Sequence, residues 1–335
     1  MLFRSPLARV LAAAVTYQPR AVVLLDPTYQ GLAADLPALV AVIHGHGENG
    51  LPLLVDQAHG DGAALEAGAD LVVLSLQKAG GGLAQGAALL GQGPRLDAER
   101  IERSLLWLQT SSPSALLLAS TAAALAHGRS AAGARQRQRA WRRARRLRER
   151  LERLGLPLLP NDDPLRLVLA TAPLGIRGGE ADAWLLERGV VAELPEPGAL
   201  TFCLGLDPPA GLERRLPRQL QELRHRKGGA PLPPFRPPPL PLVAAPELEV
   251  GQAWRSAAER VPLAEAAGRI AAEPLCPYPP GIPLLIPGER IDAARAAWLM
   301  DQRVLWPGQI ADTVKVVASA AGSVEQAVHD PSHSG

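Results

Sequence analysis

At 335 residues the chain is long enough for two or three modest domains with a real core. A hydrophobic content of 47%, a charged content of 20% and a net charge of +2 are ordinary for a soluble globular protein, and the charge does not by itself call for a polyanionic partner. Two cysteines, Cys203 and Cys276, exclude a disulfide framework and match no metal-ligand spacing, and no apolar run reaches the ~18 residues of a membrane-spanning helix. The start, Met1-Leu2-Phe3-Arg4, is a poor secretory signal, because Arg9 interrupts the apolar stretch. Reduced thiols in the cytoplasm are the default expectation.

The first ninety residues alternate short apolar runs with helical or loop segments. The runs 21–25, 51–55 and 70–74 end at Asp26, at Asp56, and at Ser75 and Lys78. Runs of this length bounded by polar punctuation predict parallel strands covered on both faces. Residues 32–44 and 62–67 serve as the crossovers. Open α/β sheets place their ligands at the carboxyl ends of such strands, which makes this edge the candidate site. Gly80, Gly81 and Gly82 then form a tight turn, and 84–90 returns as another strand.

Residues 128–154 form a helix dense in arginine. The stretch 156–223 mixes a strand at 166–171 with a helix at 181–188 and reads as a smaller α+β unit. Residues 228–246 are too rich in proline for a helix or a central strand and read as a semi-rigid linker. A last unit, 252–320, begins with a helix, and the polar tail from Ser323 is expected to be disordered.

Asp56 and Lys78 form a chemically sensible pair. A lysine that condenses with a cofactor aldehyde needs a fixed position in a cleft, and an acidic partner keeps a pyridine nitrogen protonated so that the ring accepts electrons. On spacing alone the pair is common at strand ends and means little. Its surroundings mean more. Leu54-Val55-Asp56-Gln57-Ala58-His59-Gly60, Gly68-Ala69-Asp70 and Ser75-Leu76-Gln77-Lys78 together resemble the cofactor core of the ornithine/lysine/arginine decarboxylases. Upstream, Pro27-Thr28-Tyr29-Gln30-Gly31 is similar to that family's P-T-Y-x-G. Downstream, residues 108–114, 189–193, and 276–283 with 287–289 are similar to three further motifs in the same order.

The resemblance implies a pyridoxal-phosphate (PLP) enzyme of fold type I. The α/β large domain is partial, with a mostly parallel sheet; a small α+β domain and a carboxy-terminal decarboxylase domain follow. The corresponding boundaries are 1–128, 129–227, linker 228–246, 247–322, and tail 323–335. Lys78 becomes the Schiff-base lysine and Asp56 the partner of the pyridine nitrogen. Ala58 lies against the ring, and His59 reaches toward the ring hydroxyl or the substrate carboxylate. Ser75 and Gln77 donate to the phosphate, and Thr110 and Ser111 approach the cofactor, either this subunit's or that of a second copy. The substrate is a basic amino acid, decarboxylated to a polyamine precursor, and the assembly is a homodimer or larger homo-oligomer.

Departures from the pattern are Gln77 and Gln57, where the family has His and Glu, and Ala115 after the S-P-S motif. The family's Gly/Ser/Thr phosphate cup and ring-stacking aromatic precede the P-T-Y strand, and nothing before Thr16 resembles them. The expectation is an amino-terminally truncated chain: a fragment, a misassigned start, or an inactive derivative. An aminotransferase-like enzyme and a non-catalytic binding protein are the alternatives. Nucleic acid is not an expected partner, because the arginines of 128–154 are expected all round their helix and lack an aromatic array.

Overall fold

The computed structural model describes residues 10, 19–48, 50–78, 80–233, 236, 238–239, 245–277, 282–303 and 310–318. The Tyr278 to Gly281 part of the carboxy-terminal motif and the polar tail lie outside them. The chain divides into two compact units, Met1–Pro234 and Phe235–Gly335.

The first unit holds two sheets. Strands β1 (Val22–Leu25), β2 (Leu53–Gln57), β3 (Leu71–Ser75) and β4 (Ala87–Gly91) lie in that order, the first two pairings parallel and the third antiparallel. Helix α1 (Leu36–His44) starts at Asp35, whose carboxylate accepts from Ala38 N, and it buries Leu36, Leu39 and Ile43, one helical face. With the short α2 (Ala63–Glu66), this face covers Leu53, Val55, Val72 and Leu74. Among the described residues the other face of the sheet is open. Burial alternates along every strand, and Val23 and Leu25 remain 68% and 57% exposed. The expectation of strands covered on both faces is therefore corrected: among the described residues only one layer packs on this sheet.

At the amino end of β3, Asp70 is buried at the centre of a polar knot. Its carboxylate accepts from Leu53 N and His44 Nε2 at 2.8 Å each, and from Arg95 Nε at 3.0 Å. Arg95 also reaches His44 Nδ1 at 2.8 Å. The Gly-Ala-Asp motif thus ties β2, β3, the end of α1 and the segment after β4 together.

Helices α3 (Ala98–Leu108) and α4 (Ala115–Arg129) follow, capped by Asp97 and Ser114. Helix α5 (Ala131–Arg153) is capped by Ser130, whose hydroxyl accepts from Gly133 N. Its buried positions are Gly133, Ala140, Ala144, Leu147 and Leu151. Arginines take every side of this helix except the strip of buried positions, and Arg148 turns inward to Leu159 O, Asn161 Oδ1 and Arg166 O.

The second sheet is antiparallel, in the order β5 (Arg166–Ala170), β7 (Ala199–Cys203), β6 (Leu194–Glu196). Between β5 and β6 lies α6 (Gly178–Leu186), and after β7 comes α7 (Leu212–Lys227). Every residue of β5 is buried. Leu147 and Leu151 of α5, Trp184 and Leu185 of α6, and Leu216, Leu220 and Leu223 of α7 close one core over Leu167, Leu169 and Leu200. The start of the proline-rich stretch is pinned here, with Gly229 N and Leu232 N donating to Leu174 O and Ala172 O.

The loop after β1 joins the two sheets. Asn161 Nδ2 donates to Gln30 O, and Asp162 N and Asp163 N donate to Gly31 O. Gly31 has φ +81°, and a Cβ there would meet Arg166 Cβ and Cγ at 2.9 Å, so only glycine lets the two segments touch.

The second unit has a helix α8 (Val250–Arg255), an antiparallel pair β8 (Ala258–Pro262) and β9 (Thr313–Val317), and helix α9 (Ala293–Gln302). Leu285, Ile291, Leu299 and Val316 lie in its core. The Pro287-Gly288-Glu289 motif has a structural account. Gly288 sits at φ +92° with Leu248 O only 2.2 Å from where a Cβ would be, and buried Glu289 pairs with buried Arg295 at 2.8 Å. Asp292 holds the same guanidinium, and Ile286 N donates to Glu289 Oε1, so the pair is part of a wider network.

Candidate active site

The carboxyl ends of β1, β2 and β3 bring Asp26, Asp56 and, three residues beyond Ser75, Lys78 to one edge. Asp56 is half-buried, and its Oδ1 accepts from Ala58 N at 2.9 Å, so the turn after β2 orients the carboxylate. Lys78 is exposed, and its Nζ lies 3.2 Å from His59 Nε2 and 5.7 Å from the centre of the Tyr29 ring. The Tyr29 and His59 rings stack at 4.0 Å, tilted by 52°.

His59 is buried between two cations. Arg166 NH2 approaches Nδ1 at 3.2 Å from the far side. Burial, reinforced by Lys78 and Arg166, pushes the imidazole pKa down to about 4, against the opposing pull of Asp56. The ring is therefore neutral at physiological pH, and the cations of this edge are Lys78 and Arg166. Arg166 is buried, its nearest carboxylate is Asp163 at 3.8 Å, and its Nε has no hydrogen-bond partner among the described residues. A buried guanidinium N–H left unpaired is costly, and an anion held here would satisfy it.

Ser75 ends β3 half-buried, and Gln77 is exposed with its Oε1 accepting from Gln85 N. Ala58 is half-buried. Gln57 turns inward: its Oε1 accepts from Ala64 N at 3.0 Å and its side chain also bonds Asp26, so it supports the fold. Burial raises the Asp26 carboxyl above its usual range, opposed by bonds from Ala34 N and Gln57. Thr110 and Ser111 sit exposed in the turn between α3 and α4, and no contact among the described residues joins them to Lys78. A cavity of about 490 Å³ opens beside Lys78, lined by Gly80, Gly81, Ser120, His127 and Asp207.

Sequence reasoning gave no role to Tyr29 or Arg166. Tyr29 stood inside a recognised motif. Arg166 left only a faint sign, an arginine heading an apolar strand, and its meeting with His59 across 107 positions has no local signature.

The residues present fit the ring half of PLP. They offer an accessible primary amine, a carboxylate oriented by a backbone N–H at the adjacent strand end, an aromatic face, and a buried guanidinium with an unused donor. The chain has three lysines among 35 basic residues. At position 78 an amine stands where the composition favours arginine, whose guanidinium stays protonated and has no such nucleophilic use.

The fold is that of the fold type I PLP enzymes. Lysine decarboxylase A from Pseudomonas aeruginosa superimposes with a TM-score of 0.73 at 19% identity, over 95% of this chain and 62% of that one. SPT solved with PLP matches with a TM-score of 0.52 at 21% identity, over 65% of this chain and 58% of that one.

The chain belongs to the Orn/Lys/Arg decarboxylase family: its major-domain model matches residues 4–163 and its C-terminal-domain model residues 237–302. An arginine decarboxylase of Bacillus subtilis is 32% identical over 322 residues, 85% of this chain and 62% of the relative. The chain thus spans about three-fifths of the length of the curated relatives it matches.

Proposed function

We propose that the protein is a PLP-dependent decarboxylase of a basic amino acid, releasing CO2 and a polyamine precursor. The observation that carries this reading is the meeting of Lys78, Asp56 and His59 at one strand edge in a chain of this family. Lys78 would hold the aldehyde carbon of PLP, Asp56 its ring nitrogen, and Ser75 and Gln77 its phosphate; Ala58 leaves room for the ring to lie flat. When bound, PLP supplies an electron sink for the pair released with CO2. Neutral His59 has one acceptor nitrogen, which would take a hydrogen bond from Lys78 at Nε2 or from Arg166 at Nδ1, while the unused Arg166 Nε offers a donor to an anionic group. A carboxylate partner on the nitrogen sustains the sink, and Asp56→Ala is expected to lower turnover far more than cofactor retention.

Several relatives are arginine decarboxylases, which supports arginine as the substrate to test first. Leu106, Trp107, Leu108, Leu116 and Leu118 on α3 and α4 are all more than half exposed, supporting a homodimer that covers them and brings Thr110 and Ser111 toward a second copy. Free Cys203 and Cys276 accord with the cytoplasm.

The test is to incubate the purified chain with PLP, reduce with borohydride and map the peptides by mass. The expected adduct falls on the Lys78 peptide and disappears in Lys78→Ala. Adducts spread equally over Lys78, Lys227 and Lys315 would overturn the assignment.

A further inference from the structure

Helix α5 carries ten arginines against two glutamates, and α7 carries six basic residues against two glutamates. These two helices therefore hold twelve net positive charges in a chain whose total is +2, leaving the remainder acidic by ten. The two surfaces are joined: Arg143 Nε pairs with Glu213 at 2.8 Å, and Arg150 NH1 donates to Glu213 O at 2.8 Å.

The charge is also ordered. Arg135, Arg139, Arg142, Arg146 and Arg153 follow one another by four, three, four and seven residues, which sets them on one face of α5. All five are exposed, opposite the buried Ala140, Ala144, Leu147 and Leu151. At a rise of about 1.5 Å per residue the stripe is about 27 Å long. Among the described residues, Arg135, Arg139, Arg142 and Arg146 have no carboxylate within ion-pair distance. Arg153 has only Glu149, at 4.0 Å. Glu213, held below the usual carboxyl range chiefly by Arg143, feels Arg146 only at longer range. Like charges spaced this closely repel, so the stripe is unfavourable until an anionic lattice of similar spacing lies on it.

We infer that the exposed face of α5, flanked by the first turn of α7, binds double-stranded nucleic acid through its phosphates without base selection. Guanidinium groups are suited to phosphate oxygens, and a stripe of this length crosses several of them. A lipid surface fits less well, because the exposed face of α5 presents no large apolar side chain to insert. A single strand also fits less well, since the helix's one aromatic residue, Trp141, is half-buried. None of the five arginines lines the cavity beside Lys78, although Gln136 of the same helix does, and the use of this face does not depend on decarboxylation.

The experiment measures fluorescence anisotropy of short labelled RNA and DNA duplexes titrated with the whole chain at several salt concentrations. Binding is expected at about 50 mM salt, with log K falling against log salt at a slope of about −4 to −5, near 0.9 per phosphate contacted. Replacing Arg135, Arg139, Arg142 and Arg146 together by glutamine is expected to weaken binding at least about tenfold and to flatten the slope by about 3 to 4. The matching fourfold lysine variant restores most of the affinity, and Lys78→Ala binds like the parent. Circular dichroism confirms that the glutamine variant is folded; should it not be, the lysine variant and the salt slope still decide. No binding at low salt, or binding indifferent to the four substitutions, overturns the proposal. So does capture by phosphatidylglycerol vesicles but not by duplex, and so does a salt-sensitive self-association that the glutamine variant abolishes.

Discussion

The two sheets of the first unit are made of the same residue types and differ in what covers them. In β5 every side chain is buried, and three helices press on one face of its sheet. In β2 and β3 burial alternates, and among the described residues nothing covers the face carrying Val23 and Leu25. The antiparallel sheet is thus the more enclosed partner, and the mixed sheet, which bears Asp56 and leads to Lys78, meets it at the loop around Gly31. The candidate site sits on the less enclosed half.

The largest test of this difference is a pair of truncations. Leu169→Ala, at a fully buried site in β5, is expected to lower stability by about 2–5 kcal/mol, whereas Val23→Thr on the open face should change it by less than about 0.5 kcal/mol. Urea midpoints measure both. A large loss from Val23→Thr would show that the open face is covered in solution, by a second copy or by further chain.

His59 sharpens the comparison through pH. Its folded pKa of about 4 lies below the 6.5 of an unperturbed histidine. Between those values the unfolded chain binds a proton that the folded chain refuses. Stability from this group is therefore complete above about pH 6.5 and declines as pH falls toward 4, by about 2–3 kcal/mol at ~1.4 per unit. Thermal melts at about pH 7 and about pH 4.5 should show a loss that shrinks in His59→Gln. An equal loss in both proteins would mean that the imidazole is solvated.

The smallest effect concerns the thiols. Burial pushes Cys203 up to about 11, despite the nearby Arg166, while Cys276 is exposed. Cys276 should react with a thiol-specific disulfide reagent well before Cys203. Equal rates would indicate that the end of β7 opens readily.

Much of this was legible in the residues. The strand ends that carry Asp56 and Lys78, the arginine-rich helix and the parallel crossover pattern follow from apolar runs and their punctuation. Helix α4 was not, because Ala115–Arg129 has apolar residues on every side and shows no stripe. The open face was misread since a run such as Leu53-Leu54-Val55 looks the same whether one face is covered or two. Gln57 resembled a site position but its partners, Ala64 and Asp26, are set by the tertiary fold. Arg166 depended on a distant pairing.

The knot at Asp70 has a further consequence for Lys78. Side chains alternate along a strand, so sliding β3 by one position past β2 would turn its successor residues to the opposite surface. Asp70 grips Leu53 N, the first residue of β2, from the position just before β3 begins. His44 and Arg95 hold that carboxylate from two other segments. Lys78 lies eight positions beyond this anchor, and the strand between them behaves as a ruler with a fixed zero. The identity of residue 70 thereby decides on which side of the sheet the amine emerges.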